Sequence, residues 1–132
     1  MTRCLVYYYS NRSKKEIFFE LGLALGWPIE ENKSLYPFQG AECYVGIHRS
    51  EDAASPGEEI EKGNYRAFPY YIDFSCDELE DEDLVPLVRR VLQHLWKLNI
   101  PAVAEAGFEE ELPYNGGSKN EEMNWPSHGL VK

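Results

Sequence analysis

The stretch YYIDFSCDELEDEDLVPLVRRVLQHL, residues 70–95, decides the fold. Its first part alternates: Tyr70, Ile72 and Phe74 fall on one side of an extended chain and Tyr71, Asp73 and Ser75 on the other, the period of a strand with one buried face. Its second part changes period. Leu84, Leu87, Val88, Val91 and Leu95, continued by Leu98, recur at three- and four-residue steps. That spacing predicts an amphipathic helix starting near Asp81 to Asp83, with Pro86 tolerable only in its first turn. Between the two periods lie seven carboxylates in the eleven positions of DFSCDELEDED, residues 73–83. Asp81, Glu82 and Asp83 suit the positive end of a helix dipole, and one of them is expected to be the N-cap. Asp77, Glu78 and Glu80 have no such explanation, and neither has Asp73 on the strand.

Working outward, YRAFPYYIDFS (65–75) contains Pro69, which cannot donate to a ladder, so regular pairing is expected to start after it. CLVYYYS (4–10) is a β-branched and aromatic run and reads as a strand. Ser13 followed by Glu16 is a capping box; Ile17, Leu21, Ala24 and Leu25 recur at helical spacing with Phe18 widening the stripe, and Gly26 and Pro28 supply a stop. A helix over 14–26 follows. Residues 28–41 read as a connecting loop, and ECYVGIHRS (42–50) as a strand with Val45 and Ile47 on one face and Tyr44, Gly46 and His48 on the other. EDAASPGEEIEKGN (51–64) reads as a long exposed hairpin loop, IPAVAEAGF (100–108) as a last strand, and Glu109 to Glu111 as an acidic turn. The order strand, helix, strand, strand, helix, strand resembles the ferredoxin-like α+β sandwich, a βαββαβ fold with two helices on one face of a four-stranded antiparallel sheet. In that arrangement the first and third strands are expected as central, parallel neighbours. Residues 1–113 then make one α+β domain, and 114–132 an irregular or mobile C-terminal tail that Trp125 pins.

A chain of 132 residues is one domain in size, and 43% hydrophobic with 14% aromatic residues exceeds what a disordered chain carries. The net charge of −10 is unevenly placed: residues 1–40 hold five basic and four acidic side chains, residues 41–132 eight and nineteen. Such a surface repels phosphate backbones, so the expected partner is a basic protein rather than nucleic acid, unless the charge serves only solubility. MTRCLVYYYSNRS lacks an apolar stretch long enough for a signal peptide or a membrane span, which predicts a cytoplasmic protein with no membrane partner. Cys4, Cys43 and Cys76, odd in number and widely spaced, read as isolated thiols of a reducing compartment. They lack zinc-ligand spacing, and DELEDED lacks the turning glycine of a calcium loop, so neither metal nor other cofactor is expected.

No phosphate loop, nucleophile elbow or triad pattern is present, and no catalytic residue is assigned. One acid/base pair is conceivable, Asp73 with His48 on the sheet face away from the helices; its plain reading is a hydrogen bond on a solvated face. Tyrosines on that face are more informative, because tyrosine joins large contact area to a polar tip. The expected partner-binding surface is therefore Tyr8, Tyr44, His48, Tyr71 and Asp73, with the acidic segments Asp77, Glu78, Glu80, Glu109 and Glu110. A small-molecule-binding or enzymatic ferredoxin-like domain using the same Tyr/Asp/His face, or a homodimer joined through it, are the alternatives. From Tyr70 to Gly117, the YYIDF strand, the Leu-rich helix ending in LW and AVAEAGFEEELPYNGG resemble small acidic bacterial immunity proteins of polymorphic or contact-dependent toxin systems. The resemblance implies a non-enzymatic inhibitor that covers the active site of one cognate toxin, often a basic nuclease; it assigns no role to an individual residue.

Overall fold

A computed structural model describes residues 1–55, 58–123 and 125. Five strands form one sheet: β1 (Thr2–Tyr8), β2 (Leu35–Phe38), β3 (Ala41–Arg49), β4 (Tyr70–Cys76) and β5 (Ala102–Glu105). Helix α1 (Lys14–Leu25) follows β1 and helix α2 (Asp81–Lys97) follows β4. Across the sheet the order is β2-β3-β4-β1-β5, and every neighbouring pair is antiparallel. The molecule is thus α+β, but the sheet has five strands where four were expected, and the central neighbours β1 and β4 run antiparallel, not parallel.

The additional strand lies inside the segment that reads as a loop. Gln39 and Gly40, both at positive φ (51° and 79°), make the two-residue turn that folds Phe38 onto Ala41. Pro37, which argues against a strand in the sequence, is tolerated because β2 is the sheet edge. The Tyr36 hydroxyl anchors the approach to it, accepting from the Glu30 N–H at 2.9 Å and donating to the Lys33 carbonyl at 2.7 Å.

Both helices start where their caps dictate. Ser13 Oγ accepts from the Glu16 N–H at 3.1 Å while the Glu16 carboxylate accepts from the Ser13 N–H at 2.9 Å, and Gly26 at φ 82° ends α1. At α2 the N-cap position belongs to Glu80, one residue earlier than expected, and its N–H donates to the Asp83 carboxylate at 3.0 Å. Pro86 consequently falls in the second turn. It sits on the exposed side, so the carbonyl of Glu82 that it leaves without a helical donor faces solvent instead of the core.

The main core fills the space between helices and sheet. Cys4, Val6 and Tyr8 of β1, Val45 and Ile47 of β3, and Ile72 and Phe74 of β4 pack beneath Ile17, Leu21 and Leu25 of α1 and the Leu84–Leu95 stripe of α2. A second, smaller core lies on the opposite face. Within the 51–64 segment most of the described residues are exposed, as expected, but Ala54 and Ile60 are buried against this face: the Ala54 N–H bonds the Ala67 carbonyl at 2.9 Å, and Ile60 is only 1% exposed. Ile60 packs with Phe68, Tyr7, Val103 and Met123, and the Trp125 ring stands 5.2 Å from that of Phe68. The apolar side chains of Ala54 and Ile60 hold the acidic segment against this apolar patch.

Cys43 and Cys76 form a disulfide between directly opposed residues of β3 and β4, Cα atoms 4.4 Å apart, leaving Cys4 as the buried free thiol. The expectation of three isolated thiols fails because antiparallel pairing makes neighbours of residues 33 apart in sequence. Among the described residues no helix is long and apolar enough to cross a membrane.

Candidate functional site

Register builds the site. On the face away from the helices, three rows cross β3, β4 and β1: His48–Tyr71–Tyr7, Gly46–Asp73–Leu5 and Tyr44–Ser75–Arg3. Neighbouring rings touch in succession, Tyr44 to His48 at 6.1 Å between centroids, His48 to Tyr71 at 5.5 Å, Tyr71 to Tyr7 at 5.4 Å, and Tyr7 to Tyr65 at 5.4 Å. The result is a five-ring ladder across the sheet. Its outer end depends on a glycine: Tyr44 lies down over Gly46, where an added Cβ would stand 2.7 Å from Tyr44 Cζ. In that pose the Tyr44 hydroxyl reaches His48 Nε2 at 2.7 Å. Leu35, opposite Tyr44 on the edge strand and 48% exposed, extends the apolar surface outward.

Charges on this face are mostly satisfied internally. Asp73 is buried, with its carboxylate accepting from Arg3 Nη2 at 3.0 Å, Arg3 Nε at 3.3 Å and Ser75 Oγ at 2.7 Å. The pair holds the Arg3 guanidinium above its ordinary proton affinity, through the hydrogen bond first and the Coulomb attraction second. At the inner end Glu105 accepts from the Tyr65 hydroxyl at 2.7 Å and from Arg66 Nε at 2.8 Å. Burial, followed by this carboxylate, pushes the Tyr65 phenol up to about 12. Burial likewise raises Tyr44, with smaller contributions from Asp73 and Tyr71.

Below the ladder the sheet ends in carboxylates. Pairing of Thr2 and of Cys43 with Cys76, and of Leu5 with Glu105, places the starts of β1 and β3 and the ends of β4 and β5 at one edge. Exposed there are Glu42, Asp77 and Glu78, and beyond β5 Glu110 and Glu111. Among the described residues no lysine or arginine stands within ion-pair distance of any of these five. Their neighbours are used structurally: Asp81 accepts from Thr2 Oγ at 2.6 Å, Asp83 caps the Glu80 N–H, and Glu109 accepts from the Ala106 N–H at 3.0 Å.

Of the residues expected to form the surface, Tyr44, His48, Tyr71 and Asp73 come together, and Asp77, Glu78 and Glu110 share the acidic edge. Tyr8 does not join them. It is 1% exposed and stacks on Tyr70 at 6.0 Å beneath the helices, and Tyr7 takes the position foreseen for it. Three consecutive tyrosines conceal the phase, but Cys4 and Val6 set it: buried residues at even positions carry Tyr8 inward. Leu5, Arg3 and Leu35 on this face were also missed, the first two for the same reason of phase. Asp73 and His48 do not form an acid/base pair, since each has another partner. In comparisons with protein-family models, curated proteins and solved structures, nothing matches this chain.

Proposed function

We propose that this protein is a non-enzymatic inhibitor of the immunity type that binds a basic protein, a nuclease-type toxin domain being the best fit, through the aromatic ladder and the acidic edge beside it. The observation that carries the reading is the edge itself: exposed carboxylates that, among the described residues, have no lysine or arginine within ion-pair distance adjoin a row of partly buried rings. Uncompensated negative charge steers a cationic partner and mimics a phosphate chain, and rings already held by their neighbours lose little rotamer entropy on contact. The proposal includes a ferredoxin-like frame with one added edge strand. Without β2 the order reads β3-β4-β1-β5, with helices after its first and third strands in sequence.

Capture from the source lysate at low and high salt, followed by calorimetry with the retained protein, tests the proposal. Asp77→Lys with Glu78→Lys is expected to slow association and flatten its salt dependence with folding nearly unchanged, and Tyr71→Ala to weaken binding by ~1–3 kcal/mol. Failure to retain a basic protein, or an affinity indifferent to both variants, removes the reading. A ligand-binding or enzymatic use of the same face draws on the Tyr44–His48 contact; it requires His48→Ala to abolish function while the acidic reversals leave it intact. The cytoplasmic location belongs to the proposal too, and the Cys43–Cys76 disulfide weighs against it, because such bonds persist in oxidising compartments. Thiol trapping in intact cells decides between them.

A further inference from the structure

The ring ladder ends at Tyr65, and Tyr65 is also part of the wall of a cavity of about 370 Å³ beside β5, the last strand of the sheet. Val103, Glu109, Glu110, Asn115 and Ser118 line it as well. The chain after β5 is bent to make this wall. Tyr114 and Asn115 both take left-handed conformations at φ 54°, a strain that folded proteins concentrate at ligand sites. Gly116, at φ 78°, lies so close to the strand that a Cβ on it would stand 3.1 Å from the Ala104 carbonyl oxygen.

Every side-chain donor group of the wall is already engaged. The Tyr65 hydroxyl donates to Glu105 at 2.7 Å, Asn115 Nδ2 donates to Ser118 Oγ at 3.2 Å, and Ser118 Oγ donates to the Asn115 carbonyl at 3.1 Å. What remains are acceptors. Glu109 uses only Oε2, for the Ala106 N–H, and among the described residues neither the Glu110 carboxylate nor Asn115 Oδ1 has a partner. Arg66 and Lys119 adjoin the site in sequence, but Arg66 is tied to Glu105 at 2.7 Å, Lys119 is exposed, and neither lines the cavity. Against these two cations stand Glu105 and Glu109 to Glu111, so the surroundings stay net negative.

We propose that this cavity is the receptor for one arginine side chain of the basic partner. A wall whose free side-chain atoms are acceptors calls for a ligand made of donors, and its negative charge calls for a cation. A guanidinium suits it better than an ammonium. It carries five donors in a planar fork, which meets acceptors on separate residues at once while its face lies against the Tyr65 ring and its methylene stem along Val103. The guanidinium site stands independently of the inhibitor function; only the source of the arginine rests on that reading.

Titration of the full chain with acetyl-arginine-amide in ~0.15 M salt, followed by the amide NMR spectrum, tests it, with the uncharged acetyl-citrulline-amide as control. The arginine probe is expected to shift the Glu110, Asn115 and Ser118 amides saturably, and the citrulline probe to bind at least about tenfold more weakly. Glu109→Gln with Glu110→Gln should weaken the arginine probe at least about fivefold, since glutamine keeps the acceptor for the Ala106 N–H but removes the charge. Asp77→Lys with Glu78→Lys, outside the cavity, should alter it less than about twofold. Absence of saturable shifts, equal binding of the two probes, or an affinity indifferent to the glutamine pair overturns the proposal. Where a basic protein is retained from the lysate, the glutamine pair should weaken it too, and indifference there is equally fatal. The probe needs no partner, so saturable binding with no basic protein retained keeps the guanidinium site and removes only the inhibitor function.

Discussion

Reducing the Cys43–Cys76 disulfide removes no heavy atom and breaks no strand pairing, so its effect on stability comes chiefly from the unfolded state. The bond joins residues 33 apart. For a loop of that length the chain-entropy relation gives about 3–4 kcal/mol at 25 °C, lost when the link opens. Both sulfur atoms are buried under the helices, at 3% and 1% residue exposure, and no titrating or charged group is created at the surface. Urea unfolding with and without a phosphine reductant is the assay. The midpoint is expected to fall by more than about 1 M on reduction, and the slope to steepen, because the released chain exposes more surface when it unfolds. Alkylation in denaturant counts the thiols independently: one without reductant, Cys4, and three with it. In the folded protein Cys4 should react slowly, since it has no solvent exposure and burial raises its thiol well above the ordinary range. Coincident unfolding curves, or three thiols alkylated without reductant, would refute the pairing.

Ile60→Ala is expected to cost ~2–4 kcal/mol in the same unfolding assay, because the side chain is a fully buried member of the second core; a cost near zero would return 51–64 to solvent. Gly46→Ala should leave stability within about 1 kcal/mol of the wild type, since the clash falls on the movable end of Tyr44, but it should tip that ring off His48. The His48 ring resonances in an NMR spectrum report the change, and unshifted resonances would disprove the pose. The Tyr65 phenol is raised above its unfolded value of 10 to about 12, so the folded state holds its proton more tightly. Its contribution is complete below pH 10 and is lost as pH rises through 12. Tyr65→Phe should therefore flatten the alkaline decline of stability across that window, and an unchanged decline would mean that the phenol is free of Glu105.

Local periodicity determined a large part of this molecule. The α2 stripe, the inward set of β4 and the capping box of α1 are all legible because each depends on residues within a few positions of one another; the structure buries Leu84 to Leu95 of the stripe with Ile72 and Phe74, and forms the capping box at the surface. The acidity of the last two thirds was legible as well, being a matter of counting. Where several local patterns competed, tertiary structure decided. Three adjacent tyrosines fit either phase of a strand, and the packing of Cys4 and Val6 beneath the helices settles that Tyr7 joins the ladder and Tyr8 the core. Leu35-Tyr36-Pro37-Phe38 becomes a strand because β3 offers an edge where a missing N–H costs nothing, and Ile60 is buried because an apolar patch already awaits it on the far side of the sheet. Cys43 meets Cys76, and Asp73 meets Arg3 rather than His48, through contacts between residues 33 and 70 positions apart. No short-range pattern encodes such contacts, since the antiparallel pairing of whole strands creates them and fixes which side chains share a face.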